Sequence, residues 1–391
     1  MDVARLVQNL GTKHKMPWLT FSTPVCVKLP SLGLRFLFQQ EGLPLGRIVH
    51  LVGDEASFKT TFSAEIVRWH MMNAGGGITL HTEGRPNEDV LNGVFGELAD
   101  KHAMITCQAL EDWQGYLIGI IKQLREDPGL LCCVVDSILG SAARSSIEDV
   151  ESNGFASSRF ATEARLIADF LRSFTRSLVE LPMTLVIINH RKIRPSGVPY
   201  APPQKTSLGG NEIRYYTSFE VEMSRSAVEK TLTSDSYFDV TLKTTKNTYG
   251  RPEISITVPV VITGNPPTVI FRWCSVTASL LTDFSGIKPH PSAAFVKQLK
   301  EVINVESRRA GSKGLRYYSQ DLGIAAENAV TDEELELAIE ERADLLEPLY
   351  GLLGIARRYI YDSNLSWDQN RKAAIKRDEE ETDKKSPKAK G

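Results

Sequence analysis

Lys59 and Thr60 lie near the end of the run Gly53-Asp54-Glu55-Ala56-Ser57-Phe58-Lys59-Thr60-Thr61, directly after the apolar stretch Ile48-Val49-His50-Leu51-Val52. An apolar stretch of this kind reads as a strand, and the polar loop behind it as the approach to a helix. At a helix start the unpaired backbone N–H groups and the positive dipole end favour an anion. The spacing follows G-x-x-x-x-G-K-[ST]. In that motif the lysine reaches the outer phosphates of a nucleotide and the hydroxyl ligates Mg²⁺. Phe58 departs from it by standing where a residue without Cβ lets the backbone curl. Taken alone, the run also fits an ordinary strand-to-helix turn with a solvated lysine, so its neighbours must decide.

Nucleotide hydrolysis needs a phosphate cradle, a metal and a group that positions water, each emerging from the end of a neighbouring strand. Leu130-Leu131-Cys132-Cys133-Val134-Val135 is an apolar strand ending in Asp136-Ser137, so Asp136 is the carboxylate expected to hold Mg²⁺ together with Thr60. Glu83 follows the strand at 77–81 and is expected to hold the attacking water. His190 follows Asn189 at the end of another strand, where it can contact the terminal phosphate. A nucleotide with Mg²⁺ is thus expected at this site. The stretch 191–210 carries Arg191, Lys192, Arg194 and Lys205 with no acidic residue before Gly210, four prolines and Tyr200. Cations of this kind neutralise phosphates and an aromatic ring stacks on an exposed base, so a mobile loop that grips single-stranded nucleic acid is expected.

These residues need a scaffold. From about 46 to 270, short apolar runs alternate with segments of helical periodicity, the pattern of an α/β fold with a mostly parallel sheet. Strands are expected at 48–52, 77–81, 103–106, 130–135 and 184–189. Three more, at 217–223, 237–244 and 254–262, follow without room for helices and close the sheet in antiparallel fashion. Helices are expected at 61–73, 87–101, 113–126 and 160–181. The stretches 141–155 and 191–210 read as irregular loops at the ligand-binding ends of strands. The expected domains are an N-terminal segment over 1–30 that contacts other subunits, a core over 31–280, a small helical domain over 281–370 and a disordered charged tail over 371–391. In the helical domain, helices are expected at 290–307 and 331–358, the second with Glu333, Glu334, Glu336, Glu340 and Glu341 on its solvent face.

Net charge is −2, with 42% hydrophobic and 24% charged residues, which excludes a globally basic nucleic-acid binder but not a local basic face. No apolar run reaches the length of a membrane span, and the start Met1-Asp2-Val3-Ala4-Arg5 has no apolar signal core, so an intracellular, cytoplasmic protein without a membrane partner is expected. The five cysteines read as buried free thiols.

In order along the chain these motifs resemble the RecA family of ATP-dependent strand-exchange proteins, over roughly residues 30–270. Gly42-Leu43-Pro44-Leu45-Gly46-Arg47-Ile48-Val49, the loop Gly53–Thr61, Glu83, Asp136-Ser137, Asn189 and Ser207-Leu208-Gly209-Gly210-Asn211 each match the family pattern. His190 stands where bacterial members carry a glutamine, a replacement associated with the phage UvsX-like branch. Val90 replaces a tyrosine that stacks on adenine in relatives. The resemblance implies an ATPase that forms helical filaments on single-stranded DNA, pairs it with homologous duplex, and works with single-strand-binding and mediator proteins. It also implies that Tyr215 and Lys246 lie at the subunit interface, with Lys246 acting on the neighbour's nucleotide. Bacterial members have a second lysine where this chain has Thr248. Because of Phe58 and Thr248, an accessory DNA-binding protein with weak or no hydrolysis is the alternative.

Overall fold

A computed structural model describes residues 24–385 except 85–87, 154–159, 195–203, 208–209, 227–229, 233–234, 265–266, 283–286, 289–292 and 312–313. The chain enters through β1 (Val25–Lys28), α1 (Leu32–Phe38) and β2 (Gly42–Pro44). Ser31 starts α1 by accepting a hydrogen bond from Leu34 N at 3.2 Å. The crossover units follow: β3 (Arg47–Gly53), α2 (Lys59–Met72), β4 (Gly76–His81), α3 (Glu88–Phe95), β5 (His102–Thr106), α4 (Leu110–Glu126), β6 (Leu131–Asp136), α5 (Arg144–Asn153), α6 (Phe160–Leu178) and β7 (Met183–Arg194). Next come β8 (Gln204–Ser207), α7 (Gly210–Tyr216), β9 (Phe219–Arg225), β10 (Lys230–Leu232), β11 (Asp235–Asn247), β12 (Ser255–Thr263), β13 (Thr268–Phe271) and α8 (Trp273–Thr282).

The large sheet has the order β13-β12-β11-β9-β3-β7-β6-β4-β5. The six strands from β9 to β5 run parallel, and β11, β12 and β13 extend the sheet antiparallel. This is the α/β fold read from the sequence, and the physical reason is visible in the side-chain alternation. Val49, Leu51, Cys132, Val134, Val186 and Ile188 join one apolar cluster, while Ile48, Cys133, Val135, Leu185 and Ile187 join the other. A strand buried on both faces must be apolar throughout. Each buried Val, Leu or Ile contributes roughly 1.5–3 kcal/mol, so a charge at any of these positions would break the layer. The helices covering the sheet are one-sided. On α4, Leu110, Trp113, Leu117, Ile121 and Leu124 recur at helical spacing and are buried, and Asp112 caps it by accepting from Ala109 N at 2.9 Å. All five cysteines are free, and Cys26, Cys107, Cys132 and Cys133 are buried. Among the described residues no helix is long and apolar enough to cross a membrane.

Several expectations are corrected. The stretch 141–155 contains α5 and is not irregular throughout. The stretch 191–210 is not a loop from its start, because β7 runs on to Arg194 and β8 returns antiparallel, pairing Arg191 with Ser207 and Arg194 with Gln204. Strand-compatible residues on either side of the prolines pair with each other and extend the sheet outward. Tyr200 lies outside the described residues, as do residues 1–23 of the expected subunit-contact segment.

The C-terminal third is more than a bundle of helices. After β14 (Ile287–Lys288) and α9 (Ala293–Val302), a hairpin of β15 (Glu306–Arg309) and β16 (Leu315–Tyr318) precedes α10 (Asp332–Glu340) and α11 (Ala343–Leu353). The single helix expected over 331–358 is thus two. Leu299, Ile303, Leu335, Ile339, Leu349 and Leu353 join the same apolar cluster as the sheet, so residues 281–370 share its core. Glu336 is not on a solvent face. It is 4% exposed and accepts from Leu32 N at 2.8 Å, while Glu340 pairs with Arg35 and Lys28. β17 (Tyr359–Ile360) runs parallel to β1. The charged tail expected to be disordered from Arg371 is helical through α12 (Trp367–Lys385). Its anchors are Trp367, Asn370 and Ala374, all buried, with Trp367 Nε1 donating to Glu180 O at 2.8 Å.

Candidate active site

Four neighbouring strands deliver the chemistry-bearing residues to one edge. The register sets Gly53 of β3 beside His190 of β7, and His81 of β4 beside Asp136 of β6. These are the C-terminal ends of parallel strands, where open sheets of this kind hold their ligands. Glu83 follows two residues after His81.

The loop after β3 curls tightly onto α2. A Cβ on Gly53 would stand 2.4 Å from Met223 O and 2.6 Å from Ser57 Oγ, so only glycine fits. Ala56 and Phe58 both adopt positive φ, 56° and 66°. Phe58 therefore takes the left-handed conformation that glycine takes in the motif, which costs a residue with Cβ about 1–2 kcal/mol. Its ring packs against the main core and against Phe238, with centroids 5.6 Å apart, and such aromatic pairs return about 0.5–1.5 kcal/mol. The backbone conformation of the motif survives the substitution. Phe58 O then accepts from Phe62 N at 2.9 Å, the first bond of α2.

Lys59 is 4% exposed and folds back over the loop, donating to Asp54 O at 2.7 Å, Ser57 Oγ at 3.1 Å and Gly53 O at 3.2 Å. Burial lowers its pKa, and Asp136, Glu83, Asp54 and Glu55 pull it back up. Thr60 Oγ1 donates to Asp136 Oδ2 at 2.8 Å. Burial raises the pKa of Asp136, with the Glu83 carboxylate adding to the rise. His81 and His190 pull it back down, and Lys59 lies within reach of its charge, so the carboxylate sits among cationic groups with one hydroxyl donor.

Glu83 has the opposite environment. Ser137 Oγ donates to its Oε1 at 2.5 Å, and His190 Nε2 lies 3.3 Å from the same oxygen. The hydrogen bond with His190, aided by Ser137, outweighs partial burial and holds the pKa down to about 2. Thr82 braces this pair, its hydroxyl accepting from Ser137 N at 3.0 Å and donating to Ser137 O at 2.6 Å. Sequence alone marks Ser137 only as a motif neighbour of Asp136, and it does not mark Thr82. The single signal for both is adjacency to Glu83 and Asp136.

These residues fit a Mg²⁺–nucleotide. Gly53 lets the loop close tightly, Lys59 is a buried cation bonded to loop oxygens that phosphate oxygens can replace, and Thr60 with Asp136 offers hard oxygen ligands. Among the described residues no cluster of three or more His, Cys, Asp or Glu could hold a metal by itself. Mg²⁺ takes few protein ligands and completes its shell with phosphate and water, so the two oxygen ligands of Thr60 and Asp136 match it.

Lys246 and Tyr215 meet, but elsewhere. Lys246 Nζ donates to Arg214 O and, at 3.3 Å, to Tyr215 O, carbonyls in the last turn of α7. Tyr215 is 72% exposed. Lys246 is level with Glu220, which is level with His50, three residues before Gly53. At about 3.3 Å per residue and about 4.8 Å per strand, that is some 10 Å along the sheet and 10 Å across it. Lys246 is thus set away from the loop of its own chain. Burial lowers its pKa. Thr248 Oγ1 donates to Ser218 O at 3.1 Å.

Of the cations on the β7–β8 arm, Arg191 pairs with Glu222 at 2.5 Å. Lys192, Arg194 and Lys205 lie on its two strands, and their side chains are outside the described residues.

A family model for the RecA N-terminal domain matches residues 7–264. The protein named Protein RecA of Sulfurimonas denitrificans is 27% identical over 247 residues, 63% of this chain and 67% of that one. That of Nitratiruptor sp. is 27% identical over 245 residues, 62% and 66% of the two chains. Protein RecA of Helicobacter hepaticus is 28% identical over 202 residues, 51% and 55%. The chain thus spans about two thirds or less of the length of these relatives, and the residues matched by the family model hold the parallel strands and their strand-end site. With the family model covering well over half of its residues, the chain belongs to the RecA family.

Proposed function

We propose that this protein is an ATP-dependent recombinase that forms helical filaments on single-stranded DNA and pairs it with homologous duplex, within the phage UvsX-like branch. One observation carries the reading: Gly53, Lys59, Thr60, Glu83, Asp136 and His190 converge on one edge of the sheet although they come from four strands. Bound there, Mg²⁺ and ATP supply the scissile phosphate and the charge neutralisation at its oxygens. Lys59 anchors the outer phosphates. Thr60 and Asp136 hold the ion. Glu83 orients a water, and with a pKa near 2 it stays ionised at neutral pH and accepts hydrogen bonds. His190 fixes the Glu83 carboxylate and sits on the strand that continues into the arm 191–207. Occupancy of the phosphate site is thereby linked mechanically to the DNA-binding segment. The arm's cations, with Tyr200 and residues 141–155, hold the single strand.

The geometry of Lys246 supports its action in trans. It is far from its own phosphate loop and partly buried beside an exposed tyrosine, where a neighbouring subunit's phosphates would replace the Arg214 and Tyr215 carbonyls as its partners. Histidine at 190, where bacterial members carry glutamine, and phenylalanine at 58 favour the phage branch. The protein would work in the cytoplasm, that of a bacterial host if a phage encodes it, with single-strand-binding and mediator proteins as partners. Thr248, committed to Ser218 O, leaves one lysine at this interface and favours as the second reading an accessory DNA-binding protein with weak hydrolysis. Electron microscopy with single-stranded DNA and a slowly hydrolysed ATP analogue tests the proposal. Helical filaments are expected, and closed rings or unassembled monomers would contradict it.

A further inference from the structure

Phe58 occupies the curl of the phosphate loop in a conformation that side chains avoid, so something must hold it there. The helix cap does not, since Phe58 has no side-chain capping bond. Phe238, remote in sequence on β11, meets the Phe58 ring at 5.6 Å and an interplanar angle of 54°, an arrangement within the favourable range for tilted aromatic pairs. Phe238 is fixed in turn. Its strand pairs with β12 through Val260, and the Arg225 guanidinium lies 5.1 Å from its ring centroid. The residue after Phe58 is Lys59, so the peptide that sets the lysine's direction is the one the aromatic pair holds.

We propose that Phe238 is a positioning residue for nucleotide binding, seating Phe58 in the left-handed conformation that a glycine would otherwise supply. The inference rests on the nucleotide reading of the loop. Phe238 touches neither nucleotide nor metal and acts through Phe58. A chain that has lost the glycine keeps the loop by having gained the ring, so the two positions form one device. Restoring glycine at 58 makes Phe238 dispensable for binding.

The test is a double-mutant cycle on Phe238→Ala, Phe58→Gly and the double variant, with Phe238→Tyr as the conservative control. Two readouts are used: affinity for a fluorescent ATP analogue with Mg²⁺, and urea midpoint without nucleotide. Phe238→Ala should weaken the analogue about tenfold, the double variant should return to within about twofold of the unaltered protein, and Phe238→Tyr should bind normally. In urea, Phe58→Gly should raise the midpoint in the Phe238→Ala background and fail to raise it in the unaltered background. A general packing defect would leave the double variant as weak as Phe238→Ala, and that result, or additivity in urea, overturns the proposal. If the unaltered protein binds no analogue while the urea cycle is non-additive, the nucleotide reading fails and the seating of Phe58 by Phe238 stands.

Discussion

Asp136→Asn should make the protein more stable when empty and less responsive to its cofactor. The carboxylate is 4% exposed and accepts from Thr60 Oγ1, a bond the Asn carbonyl can also accept. Burial lifts its folded pKa above the ordinary 3.8. A raised carboxylate pKa means the group costs the fold nothing below the unfolded value. The cost then grows with pH until the folded value is passed. Neutralising Asp136 should therefore stabilise the nucleotide-free protein at pH 8. With Mg²⁺-ATP at a hundred times its Kd, the unaltered protein gains about 2.7 kcal/mol, whereas the variant, lacking an ion ligand, gains much less. Thermal melting at pH 8, with and without Mg²⁺-ATP, should therefore give curves whose order reverses. With EDTA in place of Mg²⁺ the reversal should disappear. An apo variant less stable than the unaltered protein, or an undiminished Mg²⁺-ATP shift, refutes the reasoning.

Lys59→Ala should abolish ATP turnover through loss of the phosphate anchor, while Glu83→Gln should retain analogue binding and lose turnover; hydrolysis at the unaltered rate in either removes that residue from the mechanism. Neutralising Lys192, Arg194 and Lys205 should flatten the salt dependence of single-stranded DNA binding by about 2, at roughly 0.7 per phosphate contact, with a smaller further change from Arg191 because Glu222 already pairs it. An unchanged slope would exclude the arm. Burial pushes Glu336 up to about 7 from an ordinary 4.5. The unaltered protein should accordingly lose up to about 3 kcal/mol in urea unfolding as pH rises from 4.5 through 7, and Glu336→Gln should flatten that decline; parallel profiles would contradict the buried acid.

The sheet was legible because its strands are buried on both faces, and a continuous apolar run such as Leu131–Val135 has few alternatives. The placement of Gly53, Lys59 and Asp136 at neighbouring strand ends was legible because each closes or closely follows a continuous apolar run. Phe238 left no trace, since its partner is 180 residues away and a phenylalanine in a strand is ordinary. The β7–β8 arm was obscured by its prolines, which marked the turn but hid the pairing on either side. Helix α12 was obscured by charge. Its anchors Trp367, Asn370 and Ala374 recur at helical spacing, yet only one is a large apolar residue, and Asn370 is anchored by hydrogen bonds to Leu365 O and Ser366 O that composition does not encode. Glu336 was misassigned for the converse reason. A glutamate among glutamates reads as solvated, and it is the Thr277 hydroxyl, the backbone N–H of Leu32 and the nearby Arg35 that accommodate its burial.

Completion of one subunit's nucleotide site by the next is tested most directly by mixing two inactive variants. Lys246→Ala should bind ATP without DNA-stimulated hydrolysis, and Glu83→Gln should be equally inactive. Mixed in equal amounts on single-stranded DNA, they should recover turnover at about a quarter of sites, those where an intact Glu83 meets a neighbour's intact Lys246 across a head-to-tail interface. Full DNA-stimulated hydrolysis by Lys246→Ala alone, or a mixture no more active than its components, would contradict it.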